Sequence, residues 1–275
     1  MNKNLITRIL TGLVAGSVSI TALVISPYGV WIFCALISML GLWEMMKTSG
    51  VESSFLKVTA MIMAGIPWVV NVWLLANPNS GSVKMNTYVT IGLLILPVSA
   101  LVALYLKDIK EPIRQLSVIV LAFVYVYLPF QLFYEISVPE SASDFLWQYP
   151  LGIMLLIWTL DSMAYFVGRF LGKNLLFPRI SPKKTWEGSL GGAAFCLALG
   201  YGFTIWMDDV SWNWMIVAGL IAVLGQLGDL VESMFKRSLN LKDSGNILPG
   251  HGGILDRFDG FFLVLPFVFL YYFLF

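Results

Sequence analysis

The chain has 275 residues, is 58% hydrophobic and only 12% charged, and has a mean hydropathy of +0.81. Soluble domains carry about 25% charged residues, so this composition excludes an ordinary water-soluble fold. A net charge of +1 says nothing about partners, but the lack of a basic face or aromatic-interleaved basic stripe argues against nucleic-acid binding.

Apolar runs of about 20 residues are long enough to cross a bilayer as helices. Taken along the chain, they fall near 5–26, 28–46, 55–76, 87–106, 115–134, 146–168, 189–207, 213–235 and 260–275, the last with room to begin earlier. Lys3 and Arg8 before the apolar core of the first run also suit a cleaved leader, but no clean small-x-small site follows it. Pro67, Pro97 and Pro129 interrupt spans, which membrane helices tolerate when neighbours satisfy the freed carbonyl. Cys34 and Cys196 lie in apolar runs without a spacing motif and read as small buried hydrophobes. The expectation is an all-α polytopic protein of about nine transmembrane helices, forming a single membrane domain over 1–275. Within it, 1–145 is the less diagnostic part and 146–275 holds the polar clusters.

Lysine and arginine gather on the cytoplasmic side of membranes. With the N-terminus inside, every one of the 17 basic residues except Lys84 falls on that side, while Glu135, Glu140, Asp144, Asp208 and Asp209 fall outside. A wrong span count would scramble this alternation. The reading is therefore N-terminus cytoplasmic and C-terminus on the outer side. Trp147, Tyr149, Trp206, Trp212 and Trp214 sit at predicted outer ends and read as headgroup anchors.

In the first half, charges lie at span ends; Glu44, inside the second span, has Lys47 as an i,i+3 partner. The second half differs, with Asp161, Asp229 and Glu232 within spans and Asp256 and Asp259 at the mouth of the last. Ionisable groups beside hydrocarbon are expensive, so a cluster of them marks a functional site. Asp256 and Asp259, at i,i+3, share a face on a helix; they can hold one hard cation with Asp229 as a third donor, or pair with Arg257 or Lys242.

Two cytoplasmic stretches, 169–188 and 236–259, join these helices. In the first, Ser181, Lys183, Lys184 and Thr185 open the seventh span and can grip phosphate oxygens, though lysines there also serve topology. Magnesium-type acids facing several lysines and arginines suit a polyphosphate. In the second, Gly250-His251-Gly252-Gly253 permits unusual backbone angles or is simply a flexible turn. His251 can accept a proton, donate to phosphate or fix the loop. Gly168-Arg-Phe-Leu-Gly172-Lys173-Asn174 falls short of a P-loop: it has three residues between the glycines and Asn where Ser or Thr is needed. Serine-hydrolase and zinc-protease motifs are absent.

The run from Ser233 to Asp259 resembles the signature of the phosphatidate cytidylyltransferases, or CDP-diacylglycerol synthases. Its fixed positions are matched by Ser233, Lys236, Arg237, Lys242, Asp243, Gly245, Pro249, His251, Gly252, Gly253, Asp256, Arg257 and Asp259. Asp161-Ser-Met-Ala-Tyr165, Ser181-Pro-Lys-Lys-Thr-Trp-Glu-Gly188 and Gly225-Gln-Leu-Gly-Asp229 look like further family motifs, so the likeness covers roughly 150–275. The resemblance implies transfer of the cytidylyl group of CTP to phosphatidate, giving CDP-diacylglycerol and pyrophosphate with magnesium. Asp229, Asp256 and Asp259 are expected to hold that magnesium, and the carboxylate count leaves room for a second cation, a monovalent one among the options. Lys242 and Arg257 join those carboxylates as catalytic residues. Ser181, Lys183, Lys184, Thr185, Lys236, Arg237, His251, Gly252 and Gly253 are expected to bind substrate. The expected setting is a bacterial-type cytoplasmic membrane, among membrane lipids, as a homodimer with the site facing the cytoplasm. A CTP-using lipid kinase or CDP-archaeol synthase would need similar residues, whereas the CDP-alcohol phosphotransferase pattern is missing. A transporter fits poorly, because the two halves are dissimilar and the charge is skewed to one face.

Overall fold

The computed structural model describes residues 3–77, 84–106, 109–138, 145–207, 213–245, 247 and 252–275. Its α-helices are α1 (Lys3–Ile25), α2 (Pro27–Thr48), α3 (Ser54–Ala76), α4 (Lys84–Leu104), α5 (Pro112–Ala122), α6 (Leu128–Ser137), α7 (Gln148–Leu171), α8 (Trp186–Trp206), α9 (Trp214–Ser238) and α10 (Leu255–Leu274). Polar caps start several of them. Ser26 accepts from Gly29 N with Pro27 in the first turn, Ser53 accepts from Leu56 N, and Thr185 accepts from Gly188 N. Each cap satisfies an N–H that has no partner inside its helix.

Among the described residues, seven helical spans are long and apolar enough to cross a membrane: α2, α3, Pro112–Ser137 and α7 to α10. Shorter apolar stretches, Thr11–Ile25 and Leu94–Leu104, belong to α1 and α4. The protein is thus a mostly helical, polytopic membrane protein. It is not wholly helical, however. The stretch read as a plain basic loop contains an antiparallel hairpin, β1 (Leu175–Phe177) with β2 (Ser181–Thr185), pairing Leu175 with Thr185 and Phe177 with Ser181. With only two strands, Pro182 on β2 interrupts no interior ladder.

The chain forms two compact units, Met1–Phe145 with Ser244–Leu255, and Leu146–Asp243 with Asp256–Phe275. In the first, buried polar side chains satisfy one another. Asn71 Nδ2 donates to Gln131 Oε1 at 3.1 Å, Gln131 Nε2 donates to Tyr127 Oη at 2.6 Å, and Tyr127 donates to Ala64 O at 2.5 Å. Trp68 Nε1 donates to Ser38 Oγ at 3.2 Å. A π-helical turn, Phe123–Tyr127, links α5 to α6 just ahead of Pro129, which has no N–H for the ladder.

In the second unit, α7 and α8 approach through small residues. A Cβ at Gly192 would lie 2.6 Å from Leu160 O, and one at Gly188 would lie 2.9 Å from Gly168 Cα. Small residues let membrane helices pack backbone to backbone. Trp214 corrects the aromatic-anchor expectation: it is fully buried, edge-on to Phe203 at 5.3 Å and against Gly152, and Tyr149 is buried beside it. Trp147 and Trp206 are exposed as an anchor requires, and Trp212 lies outside the described residues. A tryptophan at a span end can face either lipid or a neighbouring helix, and the glycine at 152 opens the seat for Trp214.

Candidate active site

The second unit holds a cavity of about 550 Å³, within the range of about 300–1,000 Å³ usual for ligand sites. Successive turns of α7 supply Asp161, Tyr165 and Arg169, with Trp158 one turn earlier. Lys183, Lys184 and Thr185 come from β2, Ser189 from the first turn of α8, and Gln226 and Asp229 from α9. The start of α10 adds Asp256, Arg257 and Asp259. Four carboxylates therefore face the same space as two lysines and two arginines.

Local bonds explain how these groups are held. Glu187 accepts from Lys173 N at 3.1 Å and from Asn174 Nδ2 at 2.7 Å, while Trp186 N donates to Asn174 O at 2.9 Å. These contacts staple both ends of the hairpin and bring β2 to the cavity. Lys184 is ion-paired with Asp229, which also accepts from Ser233 Oγ at 3.3 Å. Lys236 Nζ lies 2.7 Å from Asp256 and 2.6 Å from the buried Glu232. Asp259 Oδ1 accepts from Gly260 N at 2.8 Å.

One piece of the spacing reasoning is corrected. Asp256 and Asp259 do not lie on one continuous helical face, because Phe258 between them is non-helical (φ −119°, ψ 16°). Both carboxylates nevertheless line the cavity. Backbone approach sets their relation to α9, since a Cβ at Gly228 would lie 2.8 Å from Asp259 O and 3.3 Å from Gly260 Cα.

Of the residues singled out from sequence, Lys183, Lys184, Thr185, Asp229, Asp256, Arg257 and Asp259 line this cavity. Ser181 sits on β2 away from the lining, and Lys236 reaches it only through Asp256. Arg237 donates to Leu241 O at 3.3 Å, and Lys242 is exposed. Gly252 and Gly253 fold with the first unit, and His251 lies outside the described residues. Sequence alone gives Asp161 no role, holds Tyr165 and Gln226 only inside family-like motifs, and does not mark Trp158, Arg169 or Ser189 as site residues. The spacing of Asp161, Tyr165 and Arg169 at four-residue intervals was the available signal.

The donors are all oxygens from carboxylates, which suits a hard cation. Among the described residues no three acidic, histidine or cysteine groups already converge as a metal cage. Magnesium does not require one, since it usually takes one or two carboxylates and completes its shell with water and substrate phosphates. The residues therefore fit magnesium, with Lys184 and Lys236 as the present partners of Asp229 and Asp256.

A membrane helix bundle with a chamber of opposed carboxylates and basic side chains has the chemistry suited to a phosphorylated substrate at a bilayer. More narrowly, the chain belongs to the cytidylyltransferase family, whose model matches residues 6–275. It is 34% identical over 271 residues to the phosphatidate cytidylyltransferase of Bacillus subtilis (strain 168), covering 95% of each chain. The protein of the same name from Staphylococcus aureus (strain COL) is 33% identical over 262 residues, covering 94% of this chain and 95% of its own. That of Staphylococcus haemolyticus (strain JCSC1435) is 31% identical over 265 residues, with the same coverage.

Proposed function

We propose that the protein transfers the cytidylyl group of CTP to phosphatidate, giving CDP-diacylglycerol and pyrophosphate for phospholipid synthesis. The observation that carries this reading is the cavity in which Asp229, Asp256 and Asp259 meet Lys183, Lys184 and Arg257. Both substrates are anions, so an attacking lipid phosphate must approach an already negative triphosphate. Basic side chains offset that repulsion, and positioning with electrostatics does most of the catalytic work.

Lys183, Lys184 and Arg257 bind and orient the triphosphate and the lipid phosphate. An oxygen of phosphatidate attacks the α-phosphorus in line; the bond to the β-phosphate oxygen breaks, and that electron pair leaves with pyrophosphate. The lipid phosphate arrives ionised near neutral pH, so no strong general base is needed. Asp229, Asp256 and Asp259 are the residues to hold magnesium, which would supply Lewis-acid charge against the triphosphate. The carboxylate count leaves room for a second cation there, a monovalent one among the options. On binding triphosphate, Lys184 would exchange its carboxylate partner Asp229 for phosphate oxygens. Ser181, Lys236, Arg237 and Lys242 act around this centre rather than in its lining, and His251, Gly252 and Gly253 are proposed to bind substrate.

The proposed setting is a bacterial cytoplasmic membrane, crossed nine times with the N-terminus and the site on the cytoplasmic face and the C-terminus outside. The distribution of lysine and arginine supports that orientation. A homodimer is the proposed assembly. The deciding experiment is purified protein in detergent with magnesium, CTP and phosphatidate, scored for pyrophosphate and CDP-lipid. Folded protein that makes neither product overturns the reading, and release of CDP instead would indicate a lipid kinase.

A further inference from the structure

The first unit contains a buried carboxylate that the mechanism above does not use. Glu44 lies near the C-terminal end of α2 and is only 3% exposed. Its Oε2 accepts from Ile254 N at 2.7 Å, and its Oε1 accepts from Ser244 Oγ. One carboxylate thus ties the two ends of the stretch 244–254, a part of the signature that folds with the first unit. A carboxylate in such a setting is costly unless donors satisfy it, and charge-assisted bonds of this kind are the strong ones.

The neighbouring glycines fit the same geometry. A Cβ at Gly245 would lie 2.9 Å from Glu44 Oε1, and one at Gly253 would overlap both Glu44 Oε1 and Ser244 Oγ. Gly252 has a different reason to be glycine, a positive φ of 92°. One turn before Glu44, a Cβ at Gly41 would lie 2.7 Å from Val126 of the π-helical turn and 3.7 Å from the side chains of Ile254 and Leu255. Gly41 and Glu44 therefore form one face of α2, one making room for the stretch and the other bonding it.

We infer that Glu44 is a positioning residue: these bonds fix Ser244 and Ile254 at the two ends of the 244–254 stretch, and with Ile254 the start of α10, from which Asp256 and Arg257 follow in the chain. The link to those residues is covalent, for Asp256 follows Ile254 by two positions. This inference rests on the proposed cytidylyl transfer for its kinetic consequence, but not for its structural one.

The test uses the full-length protein in detergent. Glu44→Gln keeps an acceptor for Ile254 N and an amide that the Ser244 hydroxyl can accept from, so it should hold kcat within about threefold. Glu44→Leu keeps the volume without the bonds, and Glu44→Ala removes both; each should lower kcat by about 30-fold or more, as misplaced reacting groups do. Should the apolar variants fail to fold, Ser244→Ala removes a single hydroxyl and should cost about fivefold in kcat.

A second readout is independent of activity. Ile247 is exposed, so an Ile247→Cys reporter can be alkylated by maleimide while the buried Cys34 and Cys196 are protected. Reporter labelling should quicken severalfold with Glu44→Leu or Ser244→Ala and stay near the parent rate with Glu44→Gln. Equal kcat in the Gln and Leu variants, or unchanged labelling in the Leu and Ser244 variants, would overturn the inference. An inactive parent protein would instead strike the proposed function, and the labelling series alone would then decide whether Glu44 holds the stretch.

Discussion

Asn71, Gln131 and Tyr127 of the first unit and Asp229, Asp256 and Asp259 of the second place polar side chains in membrane helices to different ends. In the first unit the groups are neutral and partner one another, from Asn71 through Gln131 and Tyr127 to Ala64 O. In the second, charged groups face open space, and ion pairs such as Lys184 with Asp229 can be exchanged for ligand contacts. Satisfied polar networks rigidify a core, whereas ion pairs beside open space can re-form around something that arrives. Burial of polarity alone therefore does not identify a site; charge next to a cavity does.

That contrast can be broken by substitution. Asp259→Asn should give the largest effect, a loss of about 10³-fold in turnover with little change in thermal midpoint, as expected when charge is removed from a preorganised centre. Retained turnover in a CTP assay would remove Asp259 from the metal set. Lys184→Met should cost about 10²-fold in kcat/KM for CTP, since it removes a charged donor to phosphate while sparing the helices. Steady-state kinetics at varied CTP checks this.

Stability should respond in the opposite places. Trp214→Ala empties a large seat beside Gly152 and Phe203 and should destabilise by about 3–5 kcal/mol, read as a lower thermal midpoint; the folded fraction should keep its KM for CTP. Asn71→Leu leaves Gln131 Oε1 without its donor and should cost about 1–3 kcal/mol, with part recovered in the Asn71→Leu, Gln131→Leu double variant. If Asn71→Leu instead abolishes turnover at an unchanged midpoint, the division between a structural and a chemical polar set fails.

Much of the architecture was legible because apolar length is a direct physical demand of a bilayer. The runs near 28–46 and 55–76 recur as α2 (Pro27–Thr48) and α3 (Ser54–Ala76). The cavity lining was legible where charge intruded on those runs, as at Asp229, or clustered between them, as at Lys183 and Lys184. Three features were hidden for separate reasons. The hairpin is too short for a periodic pattern, and its Lys183-Lys184 pair looks like ordinary cytoplasmic charge. Trp214 could not be told from a headgroup anchor without knowing that Gly152 faces it. Glu44 sits 200 positions from Ser244, and local spacing offered Lys47 as its partner instead.

The contact of Gly228 with the backbone at Asp259 and Gly260 has a further consequence. It makes the separation of the backbones that carry Asp229 and Asp259 a property of two main chains. Substitutions around the chamber can change its charge, its wetness or the grip on a fatty tail, but they leave that interval nearly untouched. Relatives that keep both small residues should therefore share one gauge for the phosphate they accept, however widely their lipid preferences drift.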